Sequence, residues 1–157
     1  MTEFDILGNM EIRLIADTDF AACADTLINA FKQEPWNEEW TFENAQTRIV
    51  ELMSSKMSRG YVVHDGNGIA AMCIGRIMTY TDFKELFIDE FSVHPLHQKK
   101  GIGGMLLNFA KEELRKEDVY GMVLNTVKDY PSVKFYKKNG FKILESIVMM
   151  AASFKGG

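Results

Sequence analysis

Residues 94–114 read HPLHQKKGIGGMLLNFAKEEL, and no other stretch restricts the fold as much. A strand-forming run ends at Pro95. A loop carrying Gly101, Gly103 and Gly104 follows, and then Leu106, Ala110 and Leu114 recur on one helical stripe. Glycine removes side chains where backbone N–H groups must approach a ligand. Those donors, with the positive end of the helix dipole, form an anion site that suits a pyrophosphate. Lys99 and Lys100 can add charge at its rim. A glycine cluster before a helix also serves as a plain tight turn, so the pattern alone does not fix a ligand. The loop lacks the G-K-[ST] of a nucleotide P-loop. It also lacks G-x-G-x-x-G after a first strand, and lies too late in the chain for a dinucleotide-binding Rossmann domain.

The rest of the chain places this loop in an α/β fold. Residues 11–16 read as a first strand, and Asp17 or Thr18 can cap the helix that follows. Phe20, Cys23, Ala24, Leu27, Ile28 and Phe31 give that helix one apolar face. The loop QEPWNEEW leads to a second helix, capped by Thr41, with Phe42, Ala45, Ile49, Leu52 and Met53 on its face. Strands are predicted at 61–64 and 69–79, joined by the hairpin signal DGNG, and again at 85–93. After the glycine-headed helix come a buried strand at 122–126 and a short helix at 131–139. Gly140 stops that helix, and 141–154 closes the chain as one bent strand or two short ones. The order is β-α-α-β-β-β-α-β-α-β, a mixed sheet with helices packed on it.

A length of 157 residues favours one domain spanning 1–157. Hydrophobic residues at 46% supply a real core, and a net charge of −4 gives no basic surplus for nucleic acid or an anionic membrane. No apolar run approaches membrane-spanning length, and MTEFDILGNMEIRL lacks the basic-then-apolar order of a signal peptide. Cys23 and Cys73 sit in apolar surroundings and read as buried thiols of a cytoplasmic protein. His94 and His97 form an H-x-x-H without further ligands at suitable spacing, so no metal is expected.

At this point the chain resembles a known family. Gln98-Lys99-Lys100-Gly101-Ile102-Gly103 resembles the Q/R-x-x-G-x-G/A motif of GNAT acetyltransferases, whose amides hold the pyrophosphate of acetyl-CoA. The preceding FSVHP resembles that family's fourth strand, and YPSVKFYKKNGF its C-terminal motif N-x-x-[AS]-x-x-F-Y-x-K-x-G-F. The element order is also the family's. The resemblance implies a central mixed sheet of 6–7 strands flanked by about four helices, with acetyl-CoA as co-substrate. It implies cofactor contacts from Phe91, Ser92, Val93, Gln98, Lys99, Lys100, Gly101, Ile102, Gly103, Gly104, Asp129 and Ser132. Asp129 departs from the pattern, standing where the family often has Asn, and a carboxylate there offers no amide donor.

Acetyl transfer to an amine needs a proton acceptor for the amine, polarisation of the thioester carbonyl and a proton for the leaving thiolate. Asp89, with Glu90 beside it, is the candidate base. Strand interiors disfavour Asp, although a solvated edge strand would also accept both acids. Strand alternation sends the two to opposite faces unless a bulge intervenes. The stretch FIDEFSV is similar to the acidic strand of polyamine and aminoglycoside acetyltransferases, which carry a carboxylate at the Asp89 position. The resemblance assigns carbonyl polarisation to the backbone N–H of Val93 and the general acid to Tyr136. An unperturbed phenol, with a pKa of about 10, is a proton donor at neutral pH. Read without the motif, Tyr136 is a core aromatic beside Phe135 and Phe141.

The acceptor pocket is expected around the loop between the first two helices, where Glu34, Trp36, Glu38 and Trp40 can bind a cation by charge and by cation–π contact. The other reading of that loop is a solvated acidic turn with an indole in the core, and the two stand side by side. Tyr80 and Asp82 are candidates for the same pocket. The leading expectation is an enzyme acetylating a primary amine of a small basic molecule, polyamine- or aminosugar-like, with homodimerisation left open. Acetylation of a protein N-terminus or lysine, and a non-catalytic acetyl-CoA sensor, are the alternatives.

Overall fold

The computed structural model describes residues 8–156. Residues 1–7, part of the segment compared above with a signal peptide, lie outside the described residues. The chain divides into two compact units, Met1–Asn125 and Thr126–Gly157.

The first unit is built on a five-stranded sheet in the order β1-β2-β3-β4-β5. Its strands are β1 Glu11–Leu14, β2 Ser58–His64, β3 Ile69–Thr79, β4 Lys84–Val93 and β5 Gly121–Leu124. The first four pair antiparallel, and β5 joins β4 in parallel. Three helices belong to this unit: α1 Phe20–Lys32, α2 Phe42–Leu52 and α3 Ile102–Arg115. Val62, Met72 and Ile74 turn one face of the sheet toward Cys23, Ala24 and Leu27 of α1 and Ala45 and Ile49 of α2. Tyr61, of opposite parity to Val62, meets Phe109 of α3 edge-on at 6.2 Å. Ile102, Leu106, Leu107, Ala110 and Leu114 form the buried stripe of α3. Burial of such a leucine or isoleucine stabilises the fold by roughly 1.5–3 kcal/mol, so these faces hold the helices on the sheet.

Local chemistry sets the boundaries. Thr41 Oγ1 accepts from the Asn44 N–H at 3.1 Å, which caps α2 as its sequence predicts. The cap ahead of α1 differs from expectation. A 3₁₀ turn, Asp17–Asp19, precedes the helix, and Asp19 is the residue at work. Its carboxylate accepts the Ala16 N–H at 2.8 Å and both Nη groups of Arg13 at 2.6 and 2.9 Å. The hydrogen bond from Arg13 holds the Asp19 carboxyl below its ordinary range. In the β2–β3 hairpin, Asp65 Oδ1 accepts the N–H groups of Asn67 and Gly68, each at 2.8 Å. Cys23 and Cys73 are fully buried free thiols, both pushed up to about 12 by burial.

The second unit contains α4, Pro131–Lys138, ended by Gly140 at φ +92°. Among the described residues of 141–154 there is no strand, so the sheet has five strands where 6–7 were expected. Ile143, Leu144, Ile147, Val148, Met149, Met150 and Phe154 are exposed. Their apolar run reads as a strand, but a strand forms only where a neighbour takes its hydrogen bonds. No helix among the described residues is long and apolar enough to cross a membrane.

Candidate active site

The glycine loop is assembled by its backbone. β4 ends at Val93, and a short 3₁₀ turn, Pro95–His97, leads to Gln98. Gln98 Nε2 donates to the Val93 carbonyl at 2.9 Å and so ties the loop to the strand end. Lys99 takes φ +62° and Gly101 φ +81°, the left-handed region that glycine enters without steric cost. Gly101 is the N-cap of α3, and Met105 N is the first amide to bond back, to Gly101 O at 3.2 Å. The amides of Ile102, Gly103 and Gly104 therefore point out of the first turn without intrahelical partners. A 14-residue helix adds its dipole. These donors fit a pyrophosphate. Lys100 Nζ is turned back to Leu96 O at 3.1 Å, whereas Lys99 is exposed at the loop.

The strand beside the loop carries the acids. β5 stops at Leu124, level with Ile88, so β4 runs on past the end of its neighbour. On its other side, the β3 register jumps from Ile74↔Glu90 to Gly75↔Ile88. Asp89 is the extra residue of a β-bulge. Gly75 lies opposite the bulge, and a Cβ there would lie 2.4 Å from the Phe87 carbonyl oxygen. Ile74 and Arg76 share the sheet face that looks toward α1 and α2. Glu90 receives a hydrogen bond from Arg48 Nε of α2, and Asp89 is held in bidentate fashion by Arg76 Nε and Nη2, both at 2.8 Å. Both carboxylates thus serve one face, and the opposite-face expectation from alternation is corrected by the bulge.

Their environments differ. Glu90 is buried, and burial raises its carboxyl above the ordinary glutamate value against the pull of Arg48; Glu38 and Asp89 add to the rise. Asp89 is committed to Arg76, whose guanidinium also sits 5.7 Å above the Phe87 ring. Sequence reasoning missed both arginines. Arg76 left a signal as the one charge in the apolar strand IAAMCIGRIMT. Arg48 left none, because a charge on the polar side of an amphipathic helix is ordinary.

The other candidates divide by place. Trp40 Nε1 donates to Glu38 Oε1 at 2.7 Å, and Trp40 packs against the α1–α2 core. Trp36 meets Phe31 edge-on at 5.1 Å. Glu38 acts electrostatically on Glu90, while Glu34 is exposed. Tyr80 stacks on Phe83 at 4.6 Å in the β3–β4 turn, which also holds Asp82. From that turn Lys84–Asp89 covers on the order of 17 Å of strand, so Tyr80 and Asp82 are not brought to the bulge. Phe91 and Val93 are half-buried on β4; the Ser92 hydroxyl is buried and has no hydrogen-bond partner among the described residues. Within the second unit, Tyr136 is half-buried between Phe135 at 5.2 Å and Phe141 at 5.3 Å. Ser132 Oγ lies 2.7 Å from Thr126 Oγ1. Asp129 adopts φ +67°, a conformation that Asn and Asp tolerate better than other side chains.

The strand that outruns its parallel neighbour thus feeds a glycine-capped helix and carries both carboxylates. The chain belongs to the acetyltransferase (GNAT) family, whose model matches residues 22–141. It is accordingly an acyltransferase. No curated protein matches it by sequence. Solved structures share its fold at low identity. An aminoglycoside acetyltransferase from an uncultured soil metagenomic sample, in complex with sisomicin, has a TM-score of 0.73 at 16% identity, covering 98% of this chain and 100% of that one. The aminoglycoside 6'-N-acetyltransferase AAC(6')-IG from Acinetobacter haemolyticus gives 0.72 at 14%, covering 92% and 99%. AAC(6')-Iy, in complex with a CoA-containing bisubstrate analogue, gives 0.71 at 13%, covering 92% and 99%.

Proposed function

We propose that the chain acetylates a primary amine of a small molecule, with acetyl-CoA as donor and Glu90 as the proton acceptor. The observation that carries this reading is the β4 bulge, which turns Asp89 and Glu90 to one face beside the strand end that leads into the glycine loop. The amides of Ile102, Gly103 and Gly104 hold the pyrophosphate, and Lys99 adds charge. When bound, acetyl-CoA supplies the acetyl group as a thioester.

An alkylammonium is charged at neutral pH and must lose a proton to attack. Glu90 stabilises the ammonium by Coulomb attraction and takes one proton from it before attack; the neutral amine's lone pair then forms the C–N bond as the C–S bond breaks, and the second proton that nitrogen loses on becoming an amide offsets the one given to sulfur. The raised proton affinity of Glu90 brings it closer to the amine's, which favours the transfer. Asp89 is less suited, since a bidentate guanidinium stabilises its ionised form. The backbone N–H of Val93 is assigned to the thioester oxygen. Tyr136 is assigned to return a proton to the leaving sulfur, giving the free thiol. The family match runs through both compact units, which supports treating 1–157 as one functional domain.

The test is free-thiol release from acetyl-CoA over an amine panel, with Glu90→Gln and Asp89→Asn beside the wild type. Glu90→Gln is expected to lower kcat by roughly 10²-fold or more, and Asp89→Asn to act mainly on acceptor KM. Unchanged kcat in Glu90→Gln for every accepted amine would remove Glu90 from the reaction.

A further inference from the structure

Two ion pairs on the acceptor face bear on which amines it takes. Their layering is the same in both. The Asp89 and Glu90 side chains are each 9% exposed, whereas those of Arg76 and Arg48 are 44% and 40% exposed. The carboxylates lie beneath, and the guanidiniums face solvent. Arg48 spends Nε on Glu90, and Arg76 spends Nε and Nη2 on Asp89. Among the described residues, both Nη groups of Arg48 and Nη1 of Arg76 have no hydrogen-bond partner. Those donors are what an approaching molecule meets first.

We infer, on the basis of the transferase reading above, that the acceptor is an amine that also carries a carboxylate, bound by Arg48 and Arg76 while its ammonium reaches Glu90. Each arginine neutralises the acid below it, so the two pairs carry no net charge between them, and Glu38 adds a negative charge that acts on Glu90. Spare guanidinium N–H groups offer charge-assisted, directional bonds to a carboxylate. A simple diamine would bring a second cation against these arginines and leave their donors unmatched.

The experiment compares matched pairs that differ by one carboxylate: lysine with cadaverine, ornithine with putrescine, and tyrosine with tyramine. Thiol release gives kcat/KM for each. The amino acid of each pair is expected to be favoured by about tenfold or more. Arg76→Gln and Arg48→Gln should shrink that ratio in both directions, raising KM for the amino acid and lowering it for the diamine, because each frees a carboxylate. A general loss of folding cannot produce opposite shifts, and thermal melting of both variants provides the control. Amines equal to or better than their amino acids, or ratios unchanged in both variants, would overturn the inference while leaving the transferase reading intact. Absence of thiol release with every member of the panel would overturn both.

Discussion

Glu90 holds its proton more tightly in the folded chain than an ordinary glutamate does, because burial penalises the charged form more than Arg48 restores it. The native state therefore binds more protons than the unfolded state in the interval above the ordinary value of 4.5. Stability from this residue is present below that value and is lost as pH rises through the folded pKa. Glu90→Gln removes the titration. The stability difference, wild type minus variant, is expected to fall as pH rises from about 4.5 toward 7, measured by urea unfolding at several pH values. Asp19, Asp65 and Glu117 have lowered pKa values and act with the opposite sign, but they are present in both proteins and cancel in the difference. A flat or rising difference would show that Arg48 dominates over burial. The same titration should appear in the kinetics, as an acidic limb of kcat/KM that is displaced upward from the ordinary glutamate value and absent in the variant. The residue pair was legible only in part. Two adjacent acids in an apolar strand drew attention in the sequence, but their common face depends on a bulge, which alternation does not reveal.

At the scale of elements, the bulge lies opposite Gly75. Any Cβ there would sit 2.4 Å from the Phe87 carbonyl oxygen and 2.9 Å from Leu86 Cγ. The first contact is with backbone and cannot be relieved by a rotamer change. Gly75→Ala is therefore expected to destabilise the fold by about 1–3 kcal/mol and to lower acceptor turnover by rearranging the bulge. Paired chemical denaturation and thiol-release assays read both effects. Full stability with full activity would mean that the strands adjust and the bulge does not depend on this glycine. Helices and central strands were readable because their signals are local. Thr41 caps α2, Asp65 closes the β2–β3 turn, and Leu106, Ala110 and Leu114 keep helical spacing. The stretch 141–154 was not readable in this way. Its apolar residues match a strand pattern, but a strand also needs a partner edge, and sequence periodicity carries no information about pairing.

For the whole molecule, Tyr136, in the second compact unit, is the residue proposed as the general acid. The family match extends across both units, yet the fold alone does not assign a role to the tyrosine. Tyr136 stands edge-on to Phe135 and Phe141, contacts that belong to the ring and persist when only the hydroxyl is removed. Thermal melting of Tyr136→Phe reports whether the fold is retained. If the phenol returns the proton to sulfur, kcat should fall by roughly 10²–10⁴-fold, with acceptor KM little changed because the loss lies in the chemical step. The acid's role depends on the leaving group, which gives a second readout. A thioester donor with a more acidic thiol needs less help from a proton donor, so the variant's deficit should narrow with such a donor. A stable variant with normal turnover would assign Tyr136 to packing, and a deficit of the same size with both donors would assign it to orientation of the reactants, not to proton donation.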